Sequence, residues 1–284
     1  MKMLQTIAEV RQQVRAWKQA GESVALVPTM GNLHEGHLRL VDEARGNSDR
    51  VVATVFVNPA QFGPGEDYES YPRTLDADRE LLSARGTDLL FAPPVEEMYP
   101  RPNRAWVDVE ELDRHLCGAS RPGHFRGVCT VVSKLFLIVE PDSAFFGEKD
   151  YQQLAILRRM TEDLCFPVEI HGVATAREPD GLAMSSRNRY LTDSERSLAP
   201  ELYRHLQLAR QAIIDGERDY ASLAREMEKG LKNLGFTPDY FSVVEAASLA
   251  PAGPEDRELL VAAAARLGAT RLIDNIGVTI VRSP

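Results

Sequence analysis

The segment TMGNLHEGH, residues 29–37, places two histidines and two glycines between an apolar run and a helix-like stretch. His34 and His37 are three positions apart, so both rings lie on one face of a first helical turn. Gly31 and Gly36 permit tight turning and close approach of the backbone to a ligand. A helix start adds unpaired N–H groups and a partial positive charge. The motif therefore predicts a polyphosphate site with two extra donors.

Two other interpretations of this segment remain open from the spacing alone. Two solvent-facing histidines at a helix start would give the same short pattern, because such motifs recur by chance. A metal pair is the weaker alternative, since the spacing differs from HExxH and no third ligand is evident.

A second group of polar side chains follows another apolar run in FVNPAQF, residues 56–62. Pro59 ends strand pairing, so Asn58 and Gln61 project from a strand end. Neutral amides there can orient the hydroxyl and carboxylate groups of a ligand. An Asx turn at the strand end is the simpler explanation of the same residues.

A third group lies in FFGEKDYQQ, residues 145–153, where an apolar run ends at Gly147 and a helix begins nearby. Lys149 is a mobile cation suited to phosphate oxygens. Asp150 can accept from ribose hydroxyls or cap the helix, and Gln153 lies one turn further on the same face. A capped, charged helix start is the alternative.

A fourth group, GLAMSSRN at residues 181–188, places two hydroxyls and a guanidinium on a loop. Such a loop can close over a β,γ-diphosphate, with Arg187 in a bidentate contact. A linker whose serines cap the next helix would look the same.

The elements that must position these groups alternate between strand and helix along the first 175 residues. Thr6 with Glu9 predicts a capping box for a first helix that ends near Gly21. The predicted strands are residues 23–29, 51–57, 88–93, 106–109, 143–147 and 168–173. The predicted helices after the first run through residues 38–44, 74–85, 126–139 and 150–164. Short connections between them predict βαβ units and a parallel sheet covered on both faces, with ligands at the carboxyl ends of the strands.

The pattern changes after residue 175, where a smaller α+β domain is predicted. Its helices are expected near residues 193–214 and 219–234, and its strands at 239–246, 258–266 and 270–281. The fold class is therefore α/β, a Rossmann-like parallel-sheet domain over residues 1–175 followed by an α+β domain over 176–284.

Composition narrows the class of protein. The 284 residues are 44% hydrophobic and 26% charged, which is typical of globular proteins. A formal net charge of −9 argues against a nucleic-acid partner. The charged N-terminal stretch is unlike a signal peptide, and no apolar window is long enough to predict a membrane span. Three cysteines, Cys117, Cys129 and Cys165, fit a reduced cytoplasm better than a disulfide framework.

Taken in order, the motifs resemble a known family. VPTMGNLHEGH, FVNPAQF, YPRTLDAD, RPGHFRGV, FFGEKDYQQL and MSSRN are similar, over nearly the whole chain, to the pantothenate synthetase family of the HxGH nucleotidyltransferases. The resemblance implies condensation of (R)-pantoate with β-alanine by way of a pantoyl adenylate, with release of pyrophosphate and AMP. It also implies a place in the route to vitamin B5 and coenzyme A, with Mg2+ accompanying ATP and a cytoplasmic homodimer.

Residue roles follow from the same resemblance. The implied catalytic residues are His34, His37, Lys149 and Arg187. The residues implied for ATP binding are Met30, Gly31, Asn32, Leu33, His34, Glu35, Gly36, His37, Gly147, Glu148, Lys149, Asp150, Ala176, Met184, Ser185, Ser186 and Arg187. Pantoate binding is implied for Asn58, Gln61 and Gln153, with Gln61 also facing β-alanine.

Some matching residues carry no implied role, and some alternatives stay open. Tyr71, Asp78, His124 and Arg126 have no assigned function, and no metal ligand is named. The smaller domain is expected to close over the active site. The main alternative is a nucleotidyl transferase of coenzyme biosynthesis that keeps the nucleotide on its product. A non-catalytic nucleotide-binding protein and a tRNA synthetase fragment are further alternatives, disfavoured by the intact polar residues and by the missing basic anticodon-binding domain.

Overall fold

A computed structural model describes residues 1–280 of the chain. Six parallel strands form one sheet in the order β1-β4-β3-β2-β5-β6. The strands are β1 Lys2–Leu4, β2 Val24–Thr29, β3 Arg50–Val55, β4 Leu89–Phe91, β5 Ser143–Gly147 and β6 Glu169–Val173. The predicted Rossmann-like parallel sheet is confirmed.

Helices connect these strands as the alternation predicts. Those of six or more residues are α1 Ile7–Gln19, α2 Glu35–Asn47, α3 Leu75–Ala84, α6 His124–Val139 and α7 Tyr151–Asp163, with the short α4 Val95–Met98 and α5 Leu116–Ser120 between α3 and α6. The capping box of α1 is present, because Thr6 accepts from the Glu9 N–H and Glu9 accepts from the Thr6 N–H. The strands β2 and β3 are buried along most of their length, which explains their continuous apolar runs.

Strand order reverses between β2 and β5, which lie side by side. The β3 and β4 strands extend the sheet from β2, whereas β6 extends it from β5. Such a switch point leaves a crevice at the carboxyl ends of the two central strands, where open α/β sheets bind ligands. The histidine motif follows β2 directly, and Gly147 ends β5.

A second sheet is antiparallel, in the order β7-β8-β9, with strands β7 Thr237–Glu245, β8 Glu258–Leu267 and β9 Thr270–Thr279. The helices α9 Glu201–Ile214 and α10 Tyr220–Asn233 share a buried core with it, preceded by the short α8 Asp193–Leu198. That core includes Leu206, Ile213, Leu231, Val261 and Ala263. The predicted α+β character of this part of the chain is confirmed.

The chain divides into two compact units. The first contains Met1–Val109, Arg121–Glu148 and Ile156–Ala174. The second contains Glu110–Ser120, Lys149–Ala155 and the chain from Thr175 onward. The predicted domain boundary at 175/176 and the predicted closure over the active site stay predictions.

Three predicted elements differ from the structure. The predicted strand at residues 106–109 is wrong, because this stretch is irregular and the Val107 N–H donates to the Thr130 hydroxyl at 3.0 Å. The predicted helix at 193–214 is two helices, since Pro200 lacks an N–H with which to continue the first. The three-residue β1 was missed because it is too short to show a period. Val281, within the last predicted strand, lies outside the described residues.

No helix within residues 1–280 is long and apolar enough to cross a membrane.

Candidate active site

Both histidines of the HxGH motif sit at the start of α2. His34 is the N-cap residue, and its Nδ1 accepts the Gly36 N–H at 3.1 Å. His37 Nδ1 accepts the His34 N–H at 3.4 Å. The two ring centroids are 4.1 Å apart, so the imidazoles share one face as their spacing predicts.

These backbone contacts select the tautomer of each ring. An Nδ1 atom that accepts a hydrogen bond carries no proton in the neutral ring, so the proton resides on Nε2. Each of His34 and His37 therefore presents an N–H donor on the side of the ring away from the helix backbone. Two neighbouring donors at a helix N-terminus, on rings inclined by 43°, are suited to the negative charge of a polyphosphate.

The turn before α2 is held by a carboxylate from α3. Asp78 accepts the Asn32 N–H at 3.0 Å and the Leu33 N–H at 2.8 Å. Its side chain is 1% exposed. Asp78 belongs to the block YPRTLDAD, which resembles the family but gave Asp78 no role. No spacing rule links position 78 to position 32, so the sequence could not predict this contact.

The amide pair of the second motif forms a continuous set of hydrogen bonds. Asn58 Nδ2 donates to Gln61 Oε1 at 3.1 Å and to the Gly127 carbonyl at 3.2 Å. Asn58 Oδ1 accepts the Tyr99 hydroxyl at 2.8 Å and the Ala60 N–H at 3.3 Å. All four hydrogen-bonding positions of the Asn58 amide are thus used inside the protein. Asn58 therefore orients its neighbours, and its predicted contact with pantoate stays a prediction.

Gln61 is turned by this arrangement toward the nucleotide motif. Its Nε2 lies 3.1 Å from the Met30 sulfur. A thioether is a weak acceptor, so a carboxylate or hydroxyl oxygen would compete well for the same N–H. Gln61 therefore presents a donor, as recognition of an acidic or hydroxylated ligand requires.

Tyr99 was missed by the sequence, since MYPRP carries no pattern that relates it to Asn58. Burial raises the pKa of Tyr99 to about 12, so the hydroxyl stays protonated and donates at neutral pH. The Lys134 ammonium lies 3.9 Å from the Tyr99 ring centroid and donates to the Met98 carbonyl at 2.7 Å. These contacts fix the direction of the Tyr99 hydroxyl.

An ion pair near the Gln61 backbone is connected to the Gln61 carbonyl through His124. Arg121 makes a bidentate contact with Glu66, at 2.6 Å and 2.7 Å. The Arg121 guanidinium is also 3.0 Å from His124 Nε2, and His124 Nδ1 lies 2.7 Å from the Gln61 carbonyl oxygen. His124, unplaced by the sequence, therefore supports the backbone of Gln61. Arg126 lies instead over the exposed Trp106 ring, 4.7 Å from its centroid.

The lysine motif belongs to the second unit. The Lys149 carbonyl accepts from Asn275 Nδ2 at 2.9 Å, and its ammonium is 3.9 Å from an Asp150 oxygen. Gln152 Nε2 donates to the Leu112 and His115 carbonyls, and its Oε1 accepts the Cys117 N–H. Of the two adjacent glutamines Gln152 is therefore structural, which leaves Gln153 as the candidate for ligand contact.

The serine–arginine loop is anchored at its base. The Met184 N–H donates to the Ala176 carbonyl at 2.9 Å. Arg177 makes a bidentate contact with Asp274, at 2.6 Å and 3.0 Å, and stacks 3.5 Å from the Tyr203 ring centroid. Asp274 is 4% exposed, so this ion pair is shielded from water.

Within the loop, serine acts as a cap. Ser185 Oγ accepts the Arg187 N–H at 3.3 Å and begins a 3-10 helix at residues Ser186–Tyr190. The capping alternative is therefore present in the structure, and it is compatible with ligand contact because a hydroxyl both donates and accepts.

The candidate site residues fall in both units. The first unit holds residues 30–37, Asn58, Gln61, Gly147 and Glu148. The second unit holds Lys149, Asp150, Gln153, Ala176 and residues 184–187. Within residues 1–280 no three His, Cys, Asp or Glu side chains are grouped as a metal site.

Comparisons with known proteins identify one family over nearly the whole chain. A family model described as pantoate-beta-alanine ligase matches residues 2–277. The chain is 60% identical over 283 residues to the pantothenate synthetase of Alcanivorax borkumensis, covering 99% of each. It is 54% identical over 279 residues to that of Azotobacter vinelandii, covering 98% of this chain and 99% of the relative.

Solved structures give the same result. Pantothenate synthetase from Thermus thermophilus superposes with a TM-score of 0.91 at 50% identity, covering 97% of this chain and 99% of that one. Pantoate-beta-alanine ligase from Francisella tularensis, complexed with beta-gamma ATP and beta-alanine, superposes with a TM-score of 0.83 at 32% identity, covering 97% of each chain.

Proposed function

Because this chain belongs to the pantoate–β-alanine ligase family, we propose that it condenses (R)-pantoate with β-alanine at the expense of ATP. The pantoate carboxylate attacks the α-phosphorus of ATP and displaces pyrophosphate. The neutral amine of β-alanine then attacks the carbonyl of the pantoyl adenylate, and AMP leaves. The observation that carries this proposal is the family match over residues 2–277 together with the paired imidazole donors at the start of α2.

The two histidines stabilise charge in the first step. Their Nδ1 atoms accept backbone N–H groups, which assigns to Nε2–H the donor role toward phosphate oxygens whose charge grows as pyrophosphate departs. Fixed donors of this kind need no reorganisation during the reaction and supply a large part of many rate enhancements. Lys149 and Arg187 supply positive charge for the same phosphates, with Mg2+ carried in by ATP.

Pantoate binds against the amide donors. Gln61 donates from Nε2, and Gln153 provides a second amide. Neither amide titrates near neutral pH, so both hold a carboxylate in its nucleophilic, ionised form. Gln61 also faces β-alanine. Gly147 has open space where a Cβ would stand, which allows a nucleotide to approach the backbone at the end of β5.

The protein acts as a cytoplasmic homodimer. Its acidic net charge of −9 and three free cysteines are compatible with that setting. A nucleotidyl transferase that retains the nucleotide on its product is not favoured, because relatives of 60% and 54% identity are named pantothenate synthetase and the matching family model is a ligase.

The test is an assay of the purified protein with ATP, Mg2+ and (R)-pantoate. We expect pyrophosphate without sustained turnover, and catalytic AMP release with formation of pantothenate once β-alanine is added. Nucleotide retained on the product, or no AMP with all substrates present, would refute the proposal. His37→Ala should lose adenylation by about 10²–10³-fold without unfolding, as removal of a transition-state donor does.

A further inference from the structure

The HxGH motif includes a turn with an unusual backbone conformation, which directly precedes His34. Gly31 has φ +83° and Asn32 has φ +51°, so two consecutive residues adopt the left-handed region. Glycine adopts this region freely and asparagine tolerates it better than most residues with a side chain, so the sequence Gly-Asn suits the turn. A Cβ on Gly31 would stand 2.9 Å from Asp78 Oδ2 and 2.9 Å from a Val55 methyl, so the backbone passes too close for any side chain.

The Asp78 carboxylate holds this turn through the backbone N–H groups of the two residues that follow Gly31. One oxygen accepts the Asn32 N–H at 3.0 Å, and the other accepts the Leu33 N–H at 2.8 Å. The Thr74 hydroxyl donates to Oδ2 at 3.2 Å and fixes the rotamer. Hydrogen bonds to an ionised acceptor are about twice as strong as neutral ones, and more so when water is excluded.

The fixed turn determines where α2 begins. Leu33 immediately precedes His34, which caps the helix through its own Nδ1. His37 then caps the His34 N–H. A rotation of the Asn32 or Leu33 peptide would therefore pass into the N-cap residue and redirect both imidazole Nε2 donors.

We propose that Asp78 is a positioning residue of the adenylation step. Asp78 holds the turn at residues 31–33 and thereby places the Nε2 donors of His34 and His37 where they contact the phosphates of ATP. This inference rests on the proposed function for its kinetic consequence. Asp78 contacts backbone donors of its own chain, and its role is exerted through the two histidines.

The central variant is Asp78→Asn, which preserves the size of the side chain but provides one carbonyl oxygen where two accept now. We expect kcat for pyrophosphate release to fall about a hundredfold, since misplacement of reacting groups by about 1 Å has that effect. KM for ATP should change less than about threefold, because the other phosphate contacts remain.

The matched control is Asp76→Asn. Asp76 lies in the same first turn of α3 and is exposed, so this variant removes the same charge without touching the turn. We expect it to keep wild-type kcat. A large loss in Asp76→Asn would show that charge near α3 matters in general, and would overturn the proposal.

Hydrogen exchange separates this inference from the proposed function. In Asp78→Asn, amides of a peptide covering residues 30–37 should exchange faster while exchange in β3 stays at the wild-type rate. That readout needs no turnover, so an inactive wild-type enzyme would refute the proposed function and leave the exchange result standing. Wild-type kcat in Asp78→Asn, or unchanged exchange at residues 30–37, would overturn the positioning role.

A milder variant guards against a folding failure. Thr74→Val removes the hydroxyl that donates to Asp78 Oδ2 and leaves both backbone contacts in place. It should lower kcat in the same direction by a smaller factor, with KM for ATP again nearly constant. An equal loss of kcat in Asp76→Asn and Thr74→Val would contradict the positioning role of Asp78.

Discussion

The side-chain amide of Asn58 holds that of Gln61, with Asn58 Nδ2 donating to Gln61 Oε1 at 3.1 Å. Because this bond turns Oε1 toward Asn58, the NH2 group of Gln61 is directed the other way. In the structure that group points at the Met30 sulfur, 3.1 Å away. The identity of the hydrogen-bonding atom that a ligand meets is thus decided by a buried neighbour of Gln61.

Tyr99→Phe tests the hydrogen bonds that run from Tyr99 through Asn58 to Gln61. The change removes the hydroxyl that donates to Asn58 Oδ1 at 2.8 Å, which lets the Asn58 amide turn over and release Gln61. We expect KM for pantoate to rise about tenfold with a smaller change in KM for ATP. Loss of this buried partner should also lower the free energy of unfolding by about 1–3 kcal/mol, measured in urea.

Tyr220→Phe is the control for Tyr99→Phe. The Tyr220 hydroxyl is buried without a hydrogen-bond partner among the described residues. Its removal should leave the free energy of unfolding unchanged or slightly higher, and KM for pantoate unchanged. Equal behaviour of the two variants would show that the Tyr99 hydroxyl has no orienting role.

Two substitutions of His34 separate its two nitrogen atoms. His34→Asn places an oxygen near the Nδ1 position and so keeps the cap on the Gly36 N–H, but provides no outward donor. His34→Gln places an NH2 near the Nε2 position and loses the cap. We expect His34→Gln to retain more pyrophosphate release and His34→Asn to retain more thermal stability.

The opposite ranking in both assays would mean that Nδ1 faces the phosphates. Differential scanning calorimetry and a pyrophosphate-coupled assay on the same preparations measure the two properties separately. The loss of a cap is worth about 1 kcal/mol, which is large enough to resolve.

In the Glu66→Gln variant, the free energy of unfolding should depend less on pH in the acid range. Burial pushes the pKa of the Glu66 carboxyl upward, but the bidentate Arg121 guanidinium and the Gly63 N–H outweigh it and hold the pKa below the ordinary value of 4.5. A depressed folded-state pKa stabilises the fold above 4.5, and that contribution is lost as pH falls through the folded value. The difference in free energy of unfolding between wild type and Glu66→Gln should therefore be present at about pH 7 and shrink below about pH 4.5.

The exposed Glu69, three residues away, is the control for Glu66. Glu69→Gln removes the same charge from the same segment without touching Arg121, so its effect on stability should be small at both pH values. If Glu66→Gln differed from wild type equally at about pH 7 and about pH 4, the ion pair would not be the cause.

The sequence predicted the parts of this molecule that depend on local chemistry. Apolar runs located the central strands, and β5 was predicted with its observed bounds because Gly147 ends it. The co-facial histidines followed from helical spacing alone. Such features need only neighbours within one turn or one strand.

Contacts between distant residues escaped the sequence. Asp78 lies 46 positions from Asn32, and Tyr99 lies 41 positions from Asn58. Neither pair has a period or motif that links its members, since tertiary packing alone brings them together. The predicted strand at residues 106–109 failed for the same reason, because a hydroxyl on α6 replaced a ladder partner for Val107.

Gly127→Ala tests the packing that supports the amide pair. Gly127 lies in α6, and a Cβ there would overlap the Ala60 carbonyl and stand 2.7 Å from the Gln61 Cα. These are backbone atoms, so α6 or the segment around Gln61 must move. We expect a loss of about 1–3 kcal/mol in the free energy of unfolding and a rise in KM for pantoate that exceeds the rise in KM for ATP.

Gly46→Ala is the matched helical control for Gly127→Ala. Gly46 lies in α2 with nothing within 4 Å of its Cβ position, so alanine should be neutral or stabilising by about 0.5–1 kcal/mol. A crystal structure of Gly127→Ala with pantoate would locate the displacement. If Gln61 kept its position and KM for pantoate stayed at the wild-type value, the close approach of α6 would serve stability alone, and the orientation of Gln61 would depend on Asn58 and Tyr99 without it.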